Sequence, residues 1–177
     1  MKILVEGSSA RSGPYVGDSV ILTAALRQSG LVSGFDEEQI DWIAHRTRPR
    51  TFAAGADVFV ESEPCEGLWI VASGHVRLYH SFAEGRQQVV GFLAAGSSLD
   101  LASAIDGGNH STSATAMDDS VLALLPRELL LEIADRYPAV LRNAARGHSN
   151  EEHVLEAVAG AAALAARLSL SSRLARL

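Results

Sequence analysis

The sequence predicts a mainly β domain with helices at both ends, on three observations. Short apolar or alternating stretches fill the region from residue 46 to about 126, with glycines between them. After Pro126 the apolar spacing changes from two to 3.6. Ahead of the β region, Asp36 with Gln39 three residues later forms a capping-box pattern that opens a short helix.

The elements follow in chain order. Residues 1–18 read as a flexible arm, because 6–18 are rich in Gly and Ser. Residues 19–29 carry Val20, Leu22 and Leu26 with Ala24 and Ala25 at helical spacing. Ile40 and Ile43 begin the apolar face of the helix that Asp36 caps. Arg46, Arg48 and Arg50 then alternate along an extended segment, the pattern of a solvated strand edge. Gly55, Gly74, Gly85 and Gly96 each close or join a strand-like run, where a reversing chain needs a residue that tolerates positive φ. Val76, Leu78 and His80 alternate with Arg77 and Tyr79, as in a half-buried strand. Val89, Val90, Phe92 and Leu93 form a denser run, expected to be more buried, and Glu84-Gly85 marks a hairpin before it. Ala114, Ala116, Val121, Ala123 and Leu125 supply the last strands, around a turn at Met117–Ser120.

Leu129, Leu130 and Ile133 predict a short helix closed near Tyr137-Pro138, and Pro138 can start the next one. Residues 139–168 then read as one long helix with an irregularity at 147–149. Within it, Val154, Val158, Ala161, Ala165 and Leu168 fall at 4-3-4-3 spacing, a seam for a second helix or a stripe against the β domain. Residues 170–177 open an amphipathic helix that does not continue.

Bulk properties narrow the function. The chain has 177 residues, 47% hydrophobic, with net charge −6 and pI near 5.5. An acidic chain is a poor nucleic-acid binder on its own, since DNA affinity rests on Lys and Arg. One cysteine, Cys65, excludes an intramolecular disulfide and a CxxC metal motif, and fits a reducing, cytoplasmic setting. No apolar run reaches the roughly 18 residues that span a bilayer. No GxSxG elbow, P-loop or strand-borne GxGxxG is present, so no catalytic residues are expected and the chain is not read as an enzyme.

The order of strands and glycines resembles the cyclic-nucleotide-binding β-roll of Crp/Fnr transcription regulators. The resemblance covers about residues 26–177. It implies a jelly-roll-like antiparallel β-roll over 19–138 with its N-terminal helices, and a long dimerisation helix over 139–169. It further implies that 170–177 start a DNA-binding winged helix-turn-helix absent from the 177 residues, so that DNA is met only through that domain. In family members that bind cyclic AMP, a phosphate-binding cassette presents a Gly-Glu pair on a helical turn and an Arg-Ser pair before the next strand. A guanidinium there neutralises a buried phosphate with charge-assisted hydrogen bonds.

Here the cassette runs from Gly96 through Ser98, Leu99, Asp100 and Leu101 to His110, Ser111 and Thr112. Gly96 matches the glycine that closes the preceding strand. Asp100 falls on the cassette glycine and Leu101 on the glutamate, although a register slip of one would put Asp100 on the acidic position. His110 falls on the arginine and Ser111 on the serine. An imidazole is mostly uncharged at neutral pH. Removing one member of a buried charge pair costs on the order of 2–5 kcal/mol, or roughly one and a half to three and a half decades of affinity. The expectation is a homodimeric sensor of an unknown small-molecule effector that does not bind cyclic AMP in the usual way, with no membrane partner.

Two other readings address the same residues: a working cyclic-nucleotide module, and a haem or redox sensor using Cys65 or two of the six histidines. No metal or cofactor site is evident in the spacing. Acidic neighbours disfavour a Cys65 thiolate, which is read as an exposed turn residue.

Overall fold

The computed structural model describes residues 16–146. Two helices come first, α1 (Val16–Gln28) and α2 (Glu37–Ala44). The strands follow: β1 (Arg48–Phe52), β2 (Asp57–Phe59), β3 (Gly67–Ser73), β4 (His75–Ser81), β5 (Gln87–Ala94) and β6 (Ser98–Leu99). After α3 (Leu101–Asp106) come β7 (Ser113–Ala116) and β8 (Ser120–Pro126), then α4 (Arg127–Arg136) and α5 (Ala139–Arg146). Two four-stranded antiparallel sheets, ordered β1-β8-β3-β6 and β2-β7-β4-β5, make the β-roll. The arm, the seam residues Val154, Val158, Ala161, Ala165 and Leu168, and residues 170–177 lie outside the described residues, apart from the arm's last three, which begin α1.

Strands β3 and β8 carry unbroken apolar runs, Leu68–Val71 and Leu122–Leu125, because both faces of each are covered. They pair with Leu68 opposite Leu125, Trp69 opposite Leu124 and Ile70 opposite Ala123. Leu68, Ile70, Ala123 and Leu125 face a cluster with the helices, which contribute Leu22, Leu26, Ile40, Ile43, Leu130 and Ile133. Trp69, Val71, Leu122 and Leu124 face the roll interior with Phe59, Val76, Leu78, Leu99 and Ala114. A strand covered on both faces needs apolar residues at every position.

Local signals match the expected ends. Asp36 accepts the Gln39 N–H at 2.8 Å, and the Gln39 side chain accepts the Asp36 N–H at 3.0 Å, a complete capping box. Pro126 precedes α4, and Tyr137 closes it.

Four expectations are corrected. Helix α1 begins at Val16, inside the predicted arm, and Val20 is exposed because its face meets neither core cluster. Arg46 is not on a strand: β1 starts at Arg48, while Arg46 pairs with Glu132 at 2.8 Å and lies over Trp42. Strand β5 is an edge, with Val89 and Phe92 exposed (43% and 65%) and only Leu93 buried, so its apolar run is not a buried strand. In β4, Val76 and Leu78 point inward as expected, but the pairing shifts between Leu78–Gly91 and Tyr79–Val89. The extra residue, Val90, lies in β5; Tyr79 is buried outside the roll interior, with Arg77 4.8 Å over its ring and its OH accepting from Thr115 at 3.3 Å, while His80 stays half-buried.

The β3–β4 turn carries an electrostatic lock. Asp118 accepts from the His75 ring at 2.7 Å, from the His75 N–H at 2.7 Å and from Ser120 Oγ at 3.0 Å. The hydrogen bond from the His75 ring, then that from its backbone, lowers the Asp118 carboxyl below its usual 3.8. A carboxyl lowered by folding contributes stability above its unfolded value and loses it as pH falls through the folded one. Asp118→Asn should therefore flatten the acid limb of the stability curve below about pH 4, and an NMR titration should place the Asp118 midpoint under 3.8.

Candidate functional site

The cassette residues are set by backbone pairing across two segments distant in sequence. Ser62 N–H donates to His110 O at 2.9 Å, His110 N–H to Glu63 O at 2.8 Å, and Cys65 N–H to Gly108 O at 3.0 Å. Pro64 and Asn109 form a bridge within the same ladder. The loop after β2 is thereby zipped to the loop before β7, and Cys65 comes beside His110.

Asp100 enters from a third segment, between β6 and α3. It has φ 61° and ψ 40°, one of two non-glycine residues with positive φ among the described residues. Asp tolerates this left-handed conformation better than most side chains. Its carbonyl accepts the Ala104 N–H at 3.0 Å, but its carboxylate does not cap α3. Instead Oδ2 accepts from His110 Nδ1. Both side chains are almost fully buried, 3% exposed for His110 and 4% for Asp100. The His110 ring stacks on Phe59, with centroids 3.9 Å apart and planes 7° from parallel, which fixes its orientation.

The other cassette residues divide by role. Leu99 belongs to the roll interior and Leu101 to the helix-side cluster, so both are core residues. Gly96 at φ 90° lets the turn press against the end of α1, where a Cβ would meet Gln28 O at 3.1 Å. Ser98 is buried on β6 opposite Ile70, Thr112 is buried, and Ser111 is exposed. The structure thus brings Asp100 and His110 together and holds the rest as frame around them.

Cys65 departs from expectation. It is buried, not an exposed turn residue, because the ladder folds its loop inward onto Leu68 and the helix-side cluster. Its Sγ donates to Gly67 O at 3.4 Å. Burial, then the nearby Asp100 carboxylate, pushes the thiol up to about 11. Acceptor atoms of Cys65, Asp100 and His110 all lie within 4.8 Å of one another. No sequence spacing signals this cluster, since its members come from three separate loops. Among the described residues of the roll interior, Trp69 Nε1 is buried without a hydrogen-bond acceptor.

A double-sheet roll with helices on one side and a cassette loop between β6 and β7 defines a ligand-sensing domain of the cyclic-nucleotide-binding class. Residues 49–137 match the cyclic nucleotide-binding domain family, and the chain belongs to it. It is 31% identical over 120 residues to the cyclic AMP receptor protein of Thermus thermophilus, covering 68% of this chain and 56% of that one. It is 27% identical over 114 residues to the fumarate and nitrate reduction regulatory protein of Vibrio cholerae, covering 64% and 44%. The crystal structure of Thermus thermophilus catabolite activator protein superposes with TM-score 0.60 at 28% identity, covering 83% of this chain and 62% of that one. These relatives are Crp/Fnr regulators, and the chain spans about half the length of the curated ones. No helix among the described residues is long and apolar enough to cross a membrane.

Proposed function

We propose that the protein is the effector-sensing and dimerisation part of a Crp/Fnr-type cytoplasmic regulator whose roll does not hold cyclic AMP in the usual way. The observation that carries this reading is the buried Asp100–His110 pair. By the resemblance, His110 stands where the family's phosphate-binding arginine belongs. Its Nδ1 is already engaged by Asp100. A cyclic phosphate brought there would meet a buried carboxylate where its relatives offer a guanidinium, and two anions at close range in a poorly screened site repel. The positive φ of Asp100 supports the register that sets it on the family glycine. The unpartnered Trp69 indole N–H offers an effector a donor inside the roll.

In this reading an effector shifts how two long helices pack through Val154, Val158, Ala161, Ala165 and Leu168, which requires it to bind the two arrangements unequally. Isothermal titration of cyclic AMP and cyclic GMP into the full chain tests the ligand half. The expected result is binding weaker than micromolar; micromolar or tighter binding of either nucleotide overturns it. Sedimentation tests the other half: the chain should be a dimer, and Ala161→Glu, which buries a charge in the seam, should shift it to monomer.

A further inference from the structure

We propose that Cys65, Asp100 and His110 form a binding site for a divalent transition-metal ion of the zinc type. One ligand atom from each lies within 4.8 Å of the other two. Zinc takes sulfur at about 2.3 Å and nitrogen or oxygen at about 2.0–2.2 Å, so ligand atoms around it stand about 3.3–3.6 Å apart. Metal binding would close the widest separation by about an ångström and replace the His110–Asp100 hydrogen bond with bonds to the ion.

The donor set selects the ion. A thiolate and an imidazole favour zinc and its transition-metal neighbours over calcium and magnesium, which prefer oxygen cages. Charge balance favours the same conclusion. A thiolate and a carboxylate carry two negative charges, which a divalent cation cancels, so the occupied site is neutral where it is buried. Cys65 gives its thiol proton to solvent on binding, and His110 ligates as neutral imidazole.

The surroundings are built to hold these ligands. Phe59 fixes the His110 ring by stacking. The backbone ladder from Ser62 to Cys65 fixes two ligands against each other across distant segments. Asp100 is held in a left-handed conformation that leaves its carboxylate free of α3 and turned to His110. Three protein ligands leave a fourth position for water or a small donor ligand. The proposal concerns metal binding alone and stands whether or not the chain regulates transcription.

Cobalt is the probe, added to the full-length reduced protein. Because Cys65 is the single cysteine in the chain, any thiolate-to-cobalt charge-transfer band reports this site and no other. The expected result is such a band saturating at one cobalt per chain and displaced by zinc. It should be absent in Cys65→Ser, and in Asp100→Asn the cobalt affinity should fall about tenfold or more. Circular dichroism shows that each variant is folded. As a variant-independent measurement, zinc should raise the melting temperature of the native protein and a chelator should reverse the rise. Absence of the band from the native protein at saturating cobalt, or an undiminished cobalt affinity in Asp100→Asn, overturns the proposal. A zinc-independent melting temperature does the same.

Discussion

Gly67→Ala is expected to destabilise the fold by about 3 kcal/mol, at the upper end of what an added methyl costs in a packed site. Gly67 opens β3 opposite Pro126, the last residue of β8. A Cβ there would sit 2.2 Å from Leu125 O and 2.9 Å from the Arg127 nitrogen. Both are backbone atoms, so no rotamer change relieves the overlap. Leu125 is held in the β3–β8 pairing, and the Arg127 N–H donates to Glu66 O at 3.1 Å. Relief would have to separate β3 from β8 at the start of α4. Cys65, hydrogen-bonded to the Gly67 carbonyl, would move with it. Urea unfolding at fixed protein concentration measures the effect, and a loss under 1 kcal/mol would show that the junction yields more easily than its backbone contacts imply.

His110→Ala is expected to cost about 3–5 kcal/mol, the range for breaking a buried pair by removing one member. Asp100 would keep a carboxylate with 4% exposure and no ring donor, and Phe59 would lose its stacking partner. Asp100→Gly should cost much less. It removes the group that needs His110, and glycine adopts φ 61° without the penalty other residues meet there. The double variant Asp100→Gly/His110→Ala should therefore be more stable than His110→Ala alone. Additive losses in that cycle would mean that the two side chains are not energetically coupled.

Much of the frame was legible because its signals are local. The Asp36–Gln39 box and the glycines at 55, 74, 85 and 96, all with positive φ, act through their own or nearby backbone. The continuous runs of β3 and β8 reflect burial on both faces, which sequence expresses as missing alternation. What escaped depends on distant partners. The run in β5 has the composition of a buried strand, but whether a strand is central or an edge is a property of the sheet. Tyr79 is buried by Arg77 over its ring and Thr115 at its hydroxyl, cover that its own alternation does not signal. The site was half legible. His110 was singled out by the resemblance, whereas the placing of Cys65 beside it arises from a ladder between two loops and that of Asp100 from a third segment.

In the proposed function, the roll keeps its frame while the buried Asp100–His110 pair stands where a cyclic phosphate would sit. Restoring the family's pair tests it most directly, by titrating cyclic AMP into the native chain and into Asp100→Gly/His110→Arg side by side. The double variant, folded by circular dichroism, should bind at least about tenfold more tightly, since it removes a buried anion and supplies a guanidinium. Equal or tighter binding by the native chain would contradict it.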